Sequence, residues 1–208
     1  MLHILFWGAL WGLFEATAGY LLHLLPANIG WVVWFPAAFI FMERVYNKTG
    51  KPYAVLLVAL FASSVKLLNL FMPGIRIDRV LNPAISILLE GITVFSVFLI
   101  FKNSWDKTAA KAVYAAVIWR GLYLAYLLFV PQWMFDISPL ADASRLISFL
   151  VMESFINAVT VFTYLKLFKC IEKRSDKVSV YDKLIANKSV PVFILALIIL
   201  DVAATLLL

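Results

Sequence analysis

Residues 80–101 read VLNPAISILLEGITVFSVFLIF, twenty-two residues with one ionisable side chain, Glu90, near the middle. As an α-helix such a stretch extends about 33 Å at 1.5 Å per residue, enough to cross the hydrocarbon core of a bilayer. Six further stretches have the same character: residues 2–25, 29–46, 53–72, 109–130, 145–168 and 190–208. Helix-breaking residues fall at or near their edges: Pro26, Gly50 with Pro52, Pro73 with Gly74, Pro131, Pro139 and Pro191. Pro83 falls in the first turn of its stretch, where proline is tolerated.

Of the 208 residues, 64% are hydrophobic and 14% charged, against about 45–50% and about 25% in soluble domains. That balance excludes an ordinary soluble protein and leaves no room for a separate soluble catalytic domain. The expected fold is therefore an all-α polytopic membrane protein, a bundle of six to seven transmembrane helices forming one domain over residues 1–208. Within it, residues 1–168 make a six-helix core, 169–189 a basic connection that is either solvated or interfacial, and 190–208 an extra C-terminal segment.

The net charge of +6 does not call for nucleic acid, because the basic residues stand in loops beside the apolar stretches. With the N-terminus cytoplasmic, thirteen Lys and Arg fall on inner connections and three, Arg76, Arg79 and Arg145, outside. The positive-inside rule thus sets that orientation and a multi-pass location in the cell membrane. Cys170 is the only cysteine, so no intramolecular disulfide or thiolate metal cluster can form.

The informative residues are those that hydrocarbon rejects: Glu15, Lys66, Glu90, Arg120 and Glu153, with Asn69, Asn82 and Asn157. A charge at a helix centre costs roughly 2.5–3.5 kcal/mol on insertion scales, so the set must pair or line a wet cavity. Helical spacing puts each group on one face. Gly8, Gly12, Glu15, Ala16, Gly19 and His23 form one stripe; Ser63, Lys66 and Asn69 another; Asn82, Ser86, Glu90 and Thr93 a third; Glu153, Asn157, Thr160 and Tyr164 a fourth. These four faces are expected to converge. Asp201 has no such neighbours on its own stretch. Buried ion pairs that only fix helix register would look the same in sequence.

Trp31, Trp34 and Trp133 lie near the outer ends, beside the loop 131–144, and serve either as an interfacial belt or as the lid of a pocket. Gly8, Gly12 and Ala16 make a small-xxx-small series, suited to packing inside the bundle or to docking a partner helix. No cofactor motif, P-loop, HExxH or GxSxG occurs, and His23 has no second histidine or cysteine nearby to make a zinc site.

The first helix, Gly8-Ala9-Leu10-Trp11-Gly12-Leu13-Phe14-Glu15-Ala16, and the fourth, Asn82-Pro83-Ala84-Ile85-Ser86-Ile87-Leu88-Leu89-Glu90-Gly91, resemble in architecture the substrate-binding S components of energy-coupling factor (ECF) transporters. The resemblance covers residues 1–168; the seventh segment departs from the six-helix pattern. It implies a binder of a vitamin, a vitamin precursor or a metal ion, energised by a separate transmembrane coupling subunit and ATPases, with Gly8, Gly12 and Ala16 docking the coupling subunit. The substrate site then draws on Glu15, Lys66, Asn69, Glu90, Arg120, Glu153, Asn157, Trp31, Trp34 and Trp133. Three acids against two bases leave that set at formal −1 if all ionise, which marginally favours a cationic solute; protonation of one acid would cancel that. Two other readings compete: an intramembrane enzyme acting on a lipid or isoprenoid, with a glutamate as acid or base, and a structural subunit of a membrane complex.

Overall fold

A computed structural model of the chain describes residues 1–23, 29–102, 107–131, 139–172, 185, 187 and 189–207. Side chains are described for 1–17, 33–102, 107–131, 139–167, 185, 187 and 189–205. All seven apolar stretches are helices. They are α1 (Leu2–His23), α2 (Ile29–Thr49), α3 (Tyr53–Leu67) with a 3₁₀ turn (Leu68–Phe71), α4 (Asp78–Phe101), α5 (Thr108–Phe129), and α7 (Glu153–Glu172), entered through the short α6 (Ala143–Ile147) and a π turn (Ser148–Met152), then α8 (Val190–Leu207). No strand occurs among the described residues. Four of these helices are long and apolar enough to cross a membrane, Tyr53–Phe71, Asp78–Phe101, Thr108–Phe129 and Ala143–Leu167, and Val190–Thr205 is a shorter apolar helix.

Polar residues at the edges move some boundaries. α2 runs past Tyr46 to Thr49, so Asn47 and Lys48 lie within it, and Gly50 ends the helix at φ +65° with its N–H on the Tyr46 carbonyl at 2.7 Å. A glycine costs least there, because a Cβ clashes in the left-handed region. α4 begins at Asp78, whose carboxylate is gripped by Arg76 at 2.8 Å. That places Pro83 in the second turn of the helix, not the first as the sequence suggests.

The core is built around α2, which packs against α1, α3, α4 and α7. Phe35, Phe39 and Met42 repeat at helical spacing and are fully buried. Phe35 stacks on Trp119 of α5 with centroids 5.3 Å apart, and Tyr46 stacks on Phe98 of α4 at 3.8 Å. Small residues close the other seams. A Cβ on Gly8 would meet Phe61 Cδ1 at 2.7 Å, and one on Gly12 would meet Val65 Cγ1 at 3.0 Å, so α1 lies directly on α3. Gly91 of α4 faces Ala59 of α3 so closely that a Cβ there would collide with the alanine methyl. α8 covers α1, with Phe193 stacked on Phe6 at 6.0 Å.

Candidate functional site

The site is built from side chains that their own helices cannot satisfy. Arg120 of α5 is fully buried, and its guanidinium donates to Glu153 at the start of α7, at 3.4 Å. Its flat faces lie against two rings: Trp119 at 4.9 Å and Phe149 at 5.0 Å. Ring quadrupoles stabilise a desolvated cation in addition to its carboxylate partner. Phe149, within the π turn Ser148–Met152, and Glu153, four positions on at the start of α7, both reach the one guanidinium. Such a turn shifts the residues before it around the axis relative to those after it, and π turns are frequent at functional sites. Tyr123 continues the aromatic column, 5.9 Å from Trp119 and 6.1 Å from Phe149.

Glu90 of α4 is buried within electrostatic reach of Arg120, and Ser86, one turn earlier, donates a hydrogen bond to its carboxylate. The second oxygen, Oε2, has no hydrogen-bond partner among the described residues. Farther along the same seam the Tyr126 hydroxyl donates to Asn82 Oδ1 at 2.8 Å, joining α5 to α4. Asn157 is fully buried one turn beyond Glu153. Arg120, Glu153 and Glu90 form one lobe of the site.

The second lobe lies between α1, α3 and α8. Trp11 Nε1 donates to Glu15 Oε1 at 3.2 Å, and Glu15 is within electrostatic reach of both Lys66 and Asp201. Asp201 is fully buried, faces Lys66, and holds Oδ1 4.0 Å from where a Gly12 Cβ would stand. The missing side chain at Gly12 is what gives that carboxylate its room. One turn on, Asn69 Nδ2 donates to Thr205 Oγ1 at 3.1 Å, a second cross-link between the end of α3 and α8. Asp201 Oδ1 and Oδ2 and Asn69 Oδ1 are buried with no hydrogen-bond partner among the described residues. Glu15 and Glu90 interact electrostatically, so the two lobes are continuous.

Glu15, Lys66, Glu90, Arg120 and Glu153 are therefore brought into one electrostatic chain, and Asp201, which looks isolated in sequence, joins it; Asn69 stands beside it, bonded to Thr205. Each ionisable group in it comes from a different helix: α1, α3, α4, α5, α7 and α8. Four acids against two bases give the chain a formal charge of −2 with all groups ionised, one more negative than the sequence set.

Other expectations are corrected. Thr160 is exposed and donates to its own helix at Ile156 O, because the buried line of α7 runs through Ser154, Asn157, Ala158, Val161 and Leu165. Tyr164 belongs to a different group, against Glu43 and Arg44 of α2. Trp34 is half-buried and packs edge-on to Phe14 of α1 at 5.4 Å, on the α1–α2 seam. The side chains of Trp31, Trp133, Gly19 and His23 lie outside the described residues. Gly8, Gly12 and Ala16 are buried, the glycines beneath α3, so the structure shows the packing use of that stripe and not an open docking face.

Sequence reading missed the group around Glu43. This carboxylate is buried, and Lys111 of α5, also buried, is an electrostatic neighbour that donates to the Lys102 carbonyl at 2.9 Å. The available signal was Glu43-Arg44 standing inside the apolar run of α2.

Among the described residues, no three His, Cys, Asp or Glu side chains come together as a metal-holding group. Comparison of the chain with protein-family models, with curated proteins and with solved structures finds no match.

Proposed function

We propose that this chain is a membrane-embedded binding subunit for a small solute in an uptake system, with seven transmembrane helices and a cytoplasmic N-terminus. The reading rests above all on one observation: ionisable side chains from six helices meet in a single chain, buried at Glu90, Arg120 and Asp201, and part of it is left without hydrogen bonds. Register-fixing ion pairs satisfy themselves, whereas buried polar groups left open need a partner from outside the protein. The aromatic column of Trp119, Tyr123 and Phe149 beside Arg120 supplies the apolar wall that small-molecule sites combine with a few fixed polar groups.

The excess of Lys and Arg on one set of connections supports the orientation. The ECF S-component resemblance supports the division of labour, in which separate coupling and ATPase subunits supply energy. A coupling subunit would meet a face other than the Gly8 and Gly12 stripe, which α3 covers.

Native mass spectrometry of gently extracted protein tests the reading. Nanomolar affinity, about 12 kcal/mol, survives purification, so wild type is expected to carry a small molecule that Glu90→Ala loses. A wild-type protein that carries only lipid would turn the reading toward an enzyme acting on lipid, and a turnover assay with lipid substrates would follow.

A further inference from the structure

The site has a charge and a hydrogen-bond imbalance that point the same way. With all groups ionised, formal charge is −2 over Glu15, Lys66, Glu90, Arg120, Glu153 and Asp201, both bases included. Four acceptor atoms in this region have no hydrogen-bond partner among the described residues: Asp201 Oδ1 and Oδ2, Asn69 Oδ1 and Glu90 Oε2, all on residues buried to within a few per cent. Lys66 stands between Glu15 and Asp201 without a direct ion pair to either among the described residues. Its charge is already counted and does not close the gap. Glu15 and Lys66 are only partly buried, whereas the open acceptors are sealed from the surface.

Each buried acceptor left open costs about 1–3 kcal/mol, and more where it is charged. A bound metal ion is a poor solution, because no metal-holding group of three His, Cys, Asp or Glu side chains is assembled among the described residues. A neutral solute leaves the charge unanswered, and an anion adds to it. We propose that the solute is a small organic cation rich in N–H donors, an alkylammonium or guanidinium compound, and that Asp201 of α8 belongs to its binding set. This inference rests on the solute-binding reading above and names its substrate class. It also gives the helix beyond the six-helix core a part in recognition.

Isothermal titration of the full-length protein in detergent with four probes tests it: butane-1,4-diamine, 4-aminobutylguanidine, tetramethylammonium and acetate. The two N–H cations are expected to bind, while tetramethylammonium, which has the charge but no donor, and acetate do not. Asp201→Asn should weaken binding of the N–H cations about tenfold or more, as loss of a charge-assisted hydrogen bond does. Glu90→Gln, on a different helix, gives an independent reading should the α8 variant fail to fold. Equal binding of tetramethylammonium, preference for acetate, no binding of either N–H cation at millimolar concentration, or undiminished binding by both variants overturns the proposal. A neutral or anionic solute found in the wild-type protein by native mass spectrometry would overturn this inference and leave the binding-subunit reading standing. A protein empty by that method which also ignores all four probes removes the binding-subunit reading itself.

Discussion

Arg120 carries more of the structure than any other charged residue, because its carboxylate and both of its aromatic partners depend on it. Removing one member of a buried ion pair strands the other, which costs about 3–5 kcal/mol. Arg120→Ala should therefore lower the unfolding midpoint in detergent sharply, and Arg120→Met with Glu153→Met should regain part of the loss. A double variant no better than the single would show that the Glu153 charge is not what suffers. At the same scale, Gly12→Val should disturb two things at once, since its side chain meets Val65 and crowds the Asp201 carboxylate. Residue identity told which groups are costly to bury, so Glu15, Lys66, Glu90, Arg120 and Glu153 were legible from type and depth alone. Partnership was not. That Asp201 faces Lys66, and Tyr164 Glu43, depends on the rotation and register of helices far apart in sequence, which no local pattern encodes.

Among the elements, the π turn is the one whose removal should be most specific. Deleting Leu150, whose side chain is exposed, removes the extra residue of the turn and moves Phe149 one position nearer Glu153 in a regular helix, which shifts its ring from its present place over the guanidinium. The expected result is loss of binding with helix content retained by circular dichroism; binding at wild-type strength would show that Phe149 has no part in holding Arg120. The α3–α4 seam offers a paired test. Gly91→Leu drives a side chain into Ala59, whereas Gly121→Leu on α5 projects into open space. The first should destabilise strongly and the second hardly at all, as thermal unfolding in detergent will show. All seven helices were legible, because a long apolar run has no other stable form in a bilayer. Their ends were less so: α2 runs on through Asn47 and Lys48 to Thr49, and α4 starts at Asp78 beside its Arg76 partner, polar residues beyond the apolar runs.

For the molecule as a whole, orientation is the first quantity to fix. In a Cys170→Ser background, Gly74→Cys should react with a membrane-impermeant maleimide added to intact cells, and Lys51→Cys should react only after the cells are opened. The reverse pattern would invert the topology and move the approach to the site to the other face. α8 carries a further consequence, one of timing. Asn69 and Thr205, which bond across the α3–α8 seam, stand 136 positions apart in the chain. Lys66 and Asn69 therefore leave the ribosome well before their partners on α8 exist. Until α8 arrives, Lys66 lacks one of its two acids, and the α1 surface beneath Phe193 is bare. A nascent chain halted before residue 190 is thus marked by what it has not yet neutralised.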